Sequence, residues 1–574
     1  SGRTGYVLGA VDLSVGLGNI VRNASQTGIT VNGNGTIAGN LIEDSGIRQI
    51  LAFGTAHIIN NVSRGGSRGI ENSGSTSTVI EGNRITGATL HGVLASRGTV
   101  VSNVIYGNGT GVTVSSSSTS VRNNVIYDNL NYGVVVGSST DVEILQNTIV
   151  QSGTGAAVSY GANGTDQRLS DNIIVANGAM GISIALSTEN NLTSDNNLFH
   201  VTNNGVMGLW GGVERDALAD WQLASFLDGA SFEGDPLFVD TDGADDIYGT
   251  VDDNFHLQSL TGQEMTASFA PVLDAVTGLP LMVASTVVAG VAQSDGIDRA
   301  SIGTDFADEP VFNGGFANLG AYGGTSQASQ SPAAFVIVTA PLNGSSVQQG
   351  DALDVEWRAE GFAGTVEVDV SYDGGGFVSI ATGEVNDGAY TWTIPNGQGI
   401  GDYVVRISAT DTPATTGTSE SFEIVAPISV FYVNDGSTDG DQYTTAIGDD
   451  ANDGLSAATP MATLRQLLET YDLGAGDTVL VDTGIYNVTT LTTLGEDLSG
   501  IGDAASERFI IKGPTLEDAR AIFDRNSSES SVFYVLGDYI TLEGIETEQG
   551  YDGIILGATA EHIDLNDVIV TGMS

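Results

Sequence analysis

One short phrase recurs along the first two hundred residues and constrains what this chain can fold into. The phrase is an asparagine, then any residue, then valine, isoleucine or leucine, and successive copies begin at nearly constant intervals. Its asparagines are Asn19, Asn40, Asn60, Asn83, Asn103, Asn124, Asn147, Asn172 and Asn196. A second phrase, glycine followed by alternating apolar residues, starts at Gly28, Gly92, Gly111, Gly133 and Gly181. A unit as short as one such interval cannot bury its apolar side alone, so we expect successive copies to stack.

Each unit has room for two or three short strands separated by Gly, Asn and Ser turns. The alternation of period two and the density of glycine favour strands over helices. We expect each strand to pair in parallel with its equivalent in the next coil, with columns of Ile and Val filling the interior. This pattern resembles the right-handed parallel β-helix. Each repeated asparagine either bonds to its neighbours in adjacent coils or serves as a turn residue that tolerates left-handed backbone.

Residues 1–331 contain two stretches that resemble the closing segment of bacterial right-handed β-helix proteins, many of them from planctomycetes. The stretches read GDPLFVDTDGADD from Gly234 and PVFNGGFANLGAYGGT from Pro310. The resemblance implies that residues 1–331 form the C-terminal part of such a β-helix together with its closing segment. It implies no particular activity.

Residues 335–425 have a different sequence pattern. It predicts short strands with alternating apolar residues, and Trp357 and Trp392 are the expected core aromatics. Strands at this spacing predict an immunoglobulin-like or fibronectin-like β-sandwich. The segment resembles a bacterial counterpart of a cell-wall glucan-synthesis module, which implies a spacer or a sugar-binding accessory.

Residues 428–574 resemble the start of β-helix proteins of pectate-lyase-like architecture. The expected elements are a first strand, an acidic loop, one short capping helix near Thr459 and Pro460, and the first coils of a β-helix. The predicted fold class is therefore all-β, a right-handed parallel β-helix (solenoid) plus an immunoglobulin-like β-sandwich, with one short capping helix.

The charge balance of the 574-residue chain narrows the classes of partner. It has 18 basic and 70 acidic residues, a net charge of −52 and no cysteine. Nucleic acid is not expected as a partner, because phosphate contacts need basic side chains. The lack of cysteine excludes disulfides and thiolate metal sites. No apolar run long enough for a membrane span occurs, and the acidic, glycine-rich composition favours an extracellular or cell-surface protein.

Acidic loops are the candidates for a ligand site. The stretch DTDGADD places four carboxylates around a glycine turn, on Asp240, Asp242, Asp245 and Asp246. The stretches DGSTDGD and GDDANDG add Asp435, Asp439, Asp441, Asp449, Asp450 and Asp453. Because calcium prefers clustered hard oxygen ligands, these loops predict calcium as a cofactor. The alternative interpretation is a set of solvated acidic loops.

No residue is assigned a catalytic role, and an enzyme is not the leading expectation. The resemblance to β-helix lyases implies a basic residue that removes a proton, for which the coils offer Arg68, Arg84, Arg97 and Arg122. Scattered arginines of this kind are more often surface residues, and the five histidines are too dispersed to suggest a metal site. Tyrosines that could stack on sugar rings lie near turns, at Tyr106, Tyr127, Tyr132 and Tyr160.

The two ends of the numbered chain continue one pattern. The glycine phrase occurs at Gly553. If Ser574 is followed by Ser1, its next copy begins at Gly5, about one coil length later. The sequence also starts without a signal peptide, which suggests a mature or internal piece. We expect one period of a tandem array cut within a β-helix, and an accidentally truncated fragment is the alternative.

The leading functional expectation is a structural repeat unit of a large extracellular filament or cell-surface protein. In it, β-helix rods stack head to tail with other copies through sandwich spacers, so the chain itself is the expected partner. One alternative is a secreted protein that binds or degrades polysaccharide along the face of the stacked strands. A further alternative is a phage tailspike or adhesin.

Overall fold

The computed structural model describes residues 18–32, 34–74, 77–395, 398–425, 430–471, 473–500, 508–515, 519–527 and 529–572. The chain divides into two compact units, and each is described by itself. The first unit takes in the chain to residue 346 together with residues 352–393 and 401–423, and the second takes in the remainder. Gly5, Ile428 and Ser574, on which the tandem-array hypothesis depends, lie outside the described residues.

The first unit is built around a right-handed parallel β-solenoid of three sheets, as the sequence predicts. Sheet 1 contains Ile20–Arg22, Leu41–Glu43, Val62–Arg64, Arg84–Thr86, Val104–Tyr106, Val125–Tyr127, Thr148–Ser152, Ile173–Asn177, Leu198–Thr202 and Phe232–Glu233. Sheet 2 contains Thr27–Asn32, Arg48–Phe53, Arg68–Asn72, His91–Ala95, Thr110–Val114, Tyr132–Val136, Ala156–Tyr160, Met180–Ile184, Val206–Trp210 and the antiparallel Val213–Arg215. Sheet 3 contains Gly35–Ala38, Ala56–Ile59, Val79–Glu81, Gly98–Val101, Thr119–Arg122, Thr140–Leu145, Thr165–Ser170 and Leu192–Asp195.

Residues at equivalent positions of successive coils lie above one another. Ile50 pairs with Ile29 in the preceding coil and with Ile70 in the following one. All three are buried in one continuous core made of alternate residues from the three sheets. The stacked aliphatic columns supply the apolar burial that no single coil can provide.

The repeated asparagines form a hydrogen-bonded ladder at the turn between sheet 3 and sheet 1. The main-chain N–H and the Nδ2 of Asn103 both donate to Asn124 Oδ1, at 3.0 and 2.9 Å. The same Nδ2 also donates to the main-chain oxygens of Ile80 and Val101. The buried members of the ladder are Asn40, Asn61, Asn83, Asn103, Asn124, Asn147, Asn172 and Asn197. Each buried turn therefore has its polar groups satisfied by the next coil.

Two of the predicted ladder positions are wrong by one residue. The ladder runs through Asn61 and Asn197, whereas the sequence phrase selects Asn60 and Asn196. Asn60 and Asn196 have left-handed backbone, with φ of 55° at each. Every buried ladder residue follows such a left-handed residue, namely Gly39, Asn60, Gly82, Ser102, Asn123, Gln146, Asp171 or Asn196. Both interpretations of the repeated asparagines therefore apply. One residue has the left-handed backbone, and the next residue bonds to the adjacent coil.

A helix that the sequence does not predict, Leu218–Ser225 (α1), covers the last coils of this solenoid. Trp221 is buried in the solenoid core, and its Nε1 donates to Asp228 Oδ2 at 2.9 Å. Asp228 Oδ1 accepts from Asn197 Nδ2 at 3.0 Å and ends the asparagine ladder. The helix lacks the usual sequence signals, because Ala217 makes no side-chain cap. The structure thus has this short helix in addition to the expected capping helix.

The segment after α1 folds back over the outer face of sheet 1. Its strands form short antiparallel pairs, Phe238–Asp240 with Asn254–Leu257, Gln263–Glu264 with Val287–Val288, and Val272–Leu273 with Pro280–Leu281. Phe255 lies 4.5 Å from Tyr127 between ring centroids, inside a second core cluster. Aromatic residues of sheet 1 are buried by this cover. A single turn of 3₁₀ helix, Glu189–Asn191, precedes the last strand of sheet 3.

Residues 335–425 form two sheets whose strands pair mainly antiparallel. One contains Phe335–Ala340, Ala352–Glu360 and Ala389–Thr393. The other contains Ser346–Gln348, Val366–Tyr372, Val378–Glu384, Gly401–Ala409, Thr416–Thr418 and Phe422–Val425. Trp357 and Trp392 are buried, and the Trp392 ring lies 6.4 Å from the ring of Tyr403 in the other sheet. The immunoglobulin-like assignment of this segment stays a prediction.

The second unit contains a smaller parallel solenoid. Its first sheet contains Val430–Val433, Thr478–Val481, Phe509–Lys512, Ile540–Glu543 and Asp564–Asn566. Its second sheet contains Gly484–Asn487, Ala521–Asp524, Ile545–Glu548 and Ile569–Thr571. Its third sheet contains Thr492–Leu494, Phe533–Val535 and Ile554–Leu556, and a 3₁₀ turn spans Glu496–Leu498.

The predicted capping helix of the second unit is present as Leu464–Thr470 (α2) and begins a few residues later than expected. Thr463 is its N-cap, because the Oγ1 accepts from Gln466 N at 3.2 Å. Asp450 Oδ1 accepts from Thr463 N at 2.9 Å, which fixes the approach of the chain to the helix. Leu467 is fully buried in the core of the second unit, so the helix packs against this solenoid.

We expect Asn124→Ala to destabilise the first solenoid. Asn124 is buried, and its removal leaves the Asn103 N–H and the Val100 oxygen without their side-chain partners. Unmet buried polar groups of this kind cost about 2–4 kcal/mol in the free energy of unfolding. Chemical denaturation followed by circular dichroism measures the loss. Asn131→Ala, at an exposed turn, is the matched control. Equal stability of the two variants would show that the ladder contributes nothing.

Candidate functional site

Basic residues are concentrated at the beginning of the first solenoid. Residues 18–100 contain six arginines, Arg22, Arg48, Arg64, Arg68, Arg84 and Arg97. The same segment has four acidic residues, Glu43, Asp44, Glu71 and Glu81. Six positive and four negative charges give a formal charge of +2, in a chain whose net charge is −52. A local reversal of sign favours contact with an anionic group.

Five residues form a row across successive strands of sheet 2, which we call the Arg row. The strand register places them side by side, one per coil, as Arg48, Arg68, His91, Thr110 and Tyr132. Neighbouring parallel strands lie ~4.8 Å apart, so the row extends about 19 Å along the solenoid. Thr110 is buried and the other four residues are at least partly exposed, so a linear ligand lying in this direction meets a side chain in four of the five coils.

The Arg row adjoins a second row of outward-facing side chains. Leu94 lies between Val93 and Ala95, which are both in the core, so Leu94 faces outward. Its register partners in the neighbouring coils are Glu71 and Thr113. The side chains of Arg48, Arg68 and His91 reach these partners, which places these three groups on the outer face of sheet 2.

Glu71 joins the two arginines of the Arg row. Arg68 Nη1 donates to Glu71 Oε2 at 2.8 Å, and Arg48 Nε donates to the same oxygen. Burial alone would raise the pKa of Glu71, but the hydrogen bonds and charges of Arg48 and Arg68 outweigh it and lower the pKa. Glu71 is therefore held ionised, and the three groups together carry one positive charge.

His91 stands next to this group with a neutral ring. Its Nδ1 lies 2.8 Å from Thr113 Oγ1 in the adjacent coil. Burial lowers the pKa of His91, and the positive charge of Arg68 lowers it further against the opposing effect of Glu71. At neutral pH the ring accepts or donates hydrogen bonds without carrying charge.

The chemistry of this face suits recognition of an anion more than proton transfer. Guanidinium groups bind carboxylates with charge-assisted hydrogen bonds. The Arg68 Nε is buried and has no hydrogen-bond partner in the described part of the protein. Glu71 is a poor general acid because it is held ionised, so His91 is the one side chain of the group with a neutral basic nitrogen.

Sequence reasoning singled out Arg68 but missed Arg48, Glu71 and His91 as its neighbours. The spacing contained the signal, because Arg48, Arg68 and His91 follow one another at intervals of one coil. Alignment of all charged residues on the repeat would have brought these side chains together.

The other arginines considered from the sequence lie elsewhere. Arg84 is buried and its Nε donates to the main-chain oxygen of Pro271 at 2.9 Å, so it fixes the segment that covers sheet 1. Arg97 and Arg122 are exposed. The surface interpretation therefore holds for Arg97 and Arg122 and fails for Arg84.

One of the four candidate sugar-stacking tyrosines remains available. Tyr106, Tyr127 and Tyr160 are buried, the first two beneath the segment that covers sheet 1. Tyr132 is 37% exposed and belongs to the Arg row. Within the Arg row, its ring is the exposed aromatic surface.

The first acidic loop is exposed and uses its carboxylates within the loop. The predicted ligands Asp240, Asp242, Asp245 and Asp246 are all exposed. Asp245 Oδ1 accepts from Ile247 N at 3.0 Å, which is an ordinary turn contact. Burial and then the neighbouring Asp242 raise the pKa of Asp240, so these two carboxylates lie close together.

The second acidic region behaves similarly. Asp439, Asp449, Asp450 and Asp453 are exposed, and Asp435 and Asp441 are partly buried. Asp435 Oδ1 accepts from Ser437 N at 2.7 Å, and Asp441 Oδ2 accepts from Asn434 Nδ2 at 2.7 Å. Among the described residues, no three His, Cys, Asp or Glu side chains are grouped to hold a metal ion. Calcium at these loops stays a prediction.

The comparisons with known proteins concern the solenoid. The family model described as the right-handed beta helix region matches residues 16–165. This segment contains the Arg row and most of the asparagine ladder. No curated protein matches the chain.

Two solved structures are similar to parts of the chain. One is the A-module of the mannuronan C-5 epimerase AlgE6 from Azotobacter vinelandii, at 19% identity and a TM-score of 0.32, over 38% of this chain and 63% of that chain. The other is full-length tailspike protein 2 from Escherichia coli O157:H7 bacteriophage CAB120, at 11% identity and a TM-score of 0.20, over 69% of this chain and 64% of that chain. The chain thus spans less than two thirds of each of these proteins.

Within the described ranges, neither helix has the length and apolar character needed to cross a membrane.

The ion pairs of Glu71 should stabilise the solenoid at neutral pH. Because the folded pKa of Glu71 is lowered, its contribution is present above the unfolded value of about 4.3 and is lost as the pH falls through the folded value. We expect Glu71→Gln to lower the free energy of unfolding by about 1–2 kcal/mol at pH 7 and by less below pH ~4. Thermal unfolding across this pH range provides the measurement.

The exposed Glu214, in the terminal strand of sheet 2, offers a matched control as Glu214→Gln. A deficit of Glu71→Gln that is the same at both pH values would mean that the charge of Glu71 is irrelevant to stability.

Proposed function

We propose that this chain is part of an extracellular or cell-surface protein that binds an acidic polysaccharide along the outer face of sheet 2. The observation that carries the proposal is the group of Arg48, Arg68 and Glu71, in which two guanidinium groups share one carboxylate. The remaining positive charge attracts a uronate carboxylate, and each arginine retains donors beyond those used by Glu71.

The dimensions of the Arg row favour a linear ligand. Its side chains succeed one another at ~4.8 Å, so a chain of sugar rings lying along the solenoid meets Arg48 and Arg68 at one end and Tyr132 at the other. His91 lies between them and suits a hydroxyl group, whereas Thr110 is buried. Because an aromatic ring lies at one end of the row and guanidinium groups lie at the other, such a ligand binds in one orientation.

The charge of the remaining surface restricts where a polyanion binds. With a net charge of −52 the surface repels an acidic polysaccharide except at the Arg row or where divalent cations intervene. Calcium at the loops of Asp240 and Asp435 is part of this proposal. Nucleic acid is not proposed as a partner, because two arginines are too few to follow a phosphate backbone.

The proposal predicts that Arg68→Gln weakens the binding of an oligouronate about tenfold, a loss of about 1.4 kcal/mol. Glu71 keeps Arg48 as its partner in this variant, so the fold should persist. Isothermal titration with a defined oligouronate measures the affinity. Arg122→Gln removes an exposed arginine from sheet 3 and should bind like the wild type.

Equal oligouronate affinity of the Arg68→Gln and Arg122→Gln variants would show that the oligouronate binds outside the Arg row. Absence of binding to any acidic oligosaccharide, with and without calcium, would remove the proposal. Release of modified uronate from the ligand would indicate that the protein degrades or modifies the polysaccharide. His91 would then be the first residue to replace in a test of that activity.

A second candidate function, head-to-tail association with other copies, is favoured by the last coil of the second unit. Among the described residues, strands Asp564–Asn566 and Ile569–Thr571 each pair on one side only. Leu565 and Val570 are 44% and 49% exposed, and they line a surface cavity of about 540 Å³. Parallel strand edges with exposed apolar residues accept a further strand. Another copy of this chain is the proposed occupant, which would make the protein a structural filament unit.

The double variant Leu565→Lys/Val570→Lys should abolish this association. Sedimentation velocity over a range of concentrations is expected to give open-ended growth for the wild type and monomers for the variant. Leu130→Lys, at an exposed position of the first solenoid, is the control and should behave like the wild type. A concentration-independent monomer of the wild type contradicts the filament candidate, and a closed trimer favours the tailspike or adhesin alternative.

A further inference from the structure

Two buried carboxyl groups in the segment that covers sheet 1 lack complete hydrogen bonding. Asp298 is 0% exposed and Glu309 is 7% exposed. Asp298 Oδ2 and Glu309 Oε2 each have no hydrogen-bond partner within the described residues. Interiors seldom leave carboxylate oxygens in this condition, because an unpaired buried charge is costly. We therefore expect a hydrogen-bond donor or a cation next to each of the two oxygens.

The other oxygen of each carboxyl group is held in place. Ser331 Oγ donates to Asp298 Oδ1 at 2.8 Å. Glu309 Oε1 accepts from the main-chain N–H groups of Asn318 and Gly324, at 2.9 and 2.7 Å. These bonds fix the orientation of both groups while one oxygen of each stays unpaired.

The two carboxyl groups belong to one small region. Asn318 bonds to both residues, because its Oδ1 accepts from the main-chain N–H of Asp298 at 3.0 Å and its own main-chain N–H donates to the Glu309 carboxyl group. Gly314 lies against Asp298, and a Cβ there would come within 2.5 Å of both carboxyl oxygens. The φ of Gly314 is also +60°, so glycine is required at this approach.

Nearby basic groups do not supply the missing partners. Arg358 Nη1 donates to the main-chain oxygen of Asp298, and its guanidinium carbon lies 4.2 Å from the centre of the Phe316 ring. Burial raises the pKa of Asp298 to about 7, with Ser331 and Arg358 opposing the shift. Burial likewise raises the pKa of Glu309 to about 8, and the charge of Asp298 adds to the shift. A bound cation can provide the partner that these two carboxyl oxygens lack.

We propose that Asp298 and Glu309 form a buried binding site for one divalent cation, with calcium as the expected ion. Each of the two residues offers an unpaired carboxyl oxygen, which is the ligand type that calcium prefers. Two carboxylates neutralise the charge of one such ion, and calcium completes its coordination with main-chain oxygens or water. The role of the ion is structural, since it would join two separate parts of the covering segment.

Calcium titration of metal-free protein tests this site directly. The wild type, stripped with a chelator, should bind calcium and melt at a higher temperature when calcium is restored. Asp298→Asn and Glu309→Gln should each lose one bound calcium per chain, together with most of the thermal shift. Both variants imitate the protonated carboxyl group, so they should fold without metal.

Asp240→Asn/Asp242→Asn is the matched control, because it changes two acidic residues of the exposed loop in the same unit. It should keep the calcium ion that the Asp298 and Glu309 variants lose. A wild type that binds no calcium at millimolar concentration overturns the proposal. Full calcium binding by both the Asp298 and the Glu309 variants, or loss of the same ion in the loop control, also overturns it.

Discussion

The hydrogen bond from one asparagine side chain to the next is the interaction on which the first solenoid depends. A coil must turn sharply between sheet 3 and sheet 1, and that turn lies against the buried interior. Asn103 and its equivalents satisfy the turn by bonding both to their own coil and to the next one. Because an unsatisfied amide here costs about 1–3 kcal/mol, the polar ladder is as necessary as the aliphatic columns.

The fixed turn also explains how coils of unequal length stay in register. The step from Asn83 to Asn103 along the sequence is shorter than the step from Asn147 to Asn172. The paired strands are nevertheless aligned residue by residue through these coils. Extra residues are therefore accommodated in the other turns. This alignment is what brings Arg48, Arg68 and His91 into one row on sheet 2.

The solenoid could be predicted from the sequence because every coil repeats the same local requirement. The exact ladder positions could not, since Asn60 and Asn61 are the same residue type and the sequence phrase accepts either. Helix α1 could not be predicted from the sequence, because Ala217 at its N-cap has no capping side chain. Helix α2 begins after Thr463, whose side chain caps it, and Asp450 also bonds to Thr463 N, a contact from outside the helix that local pattern does not reveal.

The candidate site was harder to predict than the fold, because it depends on neighbours that are one coil apart. Arg68 was identified as a possible functional residue, but its partners Glu71 and Arg48 differ from it in charge or lie in another coil. Tyr106 and Tyr127 were expected near sugar and are instead covered by the segment that contains Phe255. Long-range packing of this kind has no signature in the repeat itself.

The amides of the ladder all point in the same direction. Each Nδ2 donates to the Oδ1 of the following coil, and the last, on Asn197, donates to the carboxylate of Asp228. Amide dipoles aligned head to tail reinforce one another, as peptide dipoles do in a helix. The positive end of this array lies at the last coil, where Asp228 accepts the final hydrogen bond of the ladder. The interior of the solenoid therefore has an electrical polarity along its axis, built entirely from uncharged side chains and ended by a single acidic one.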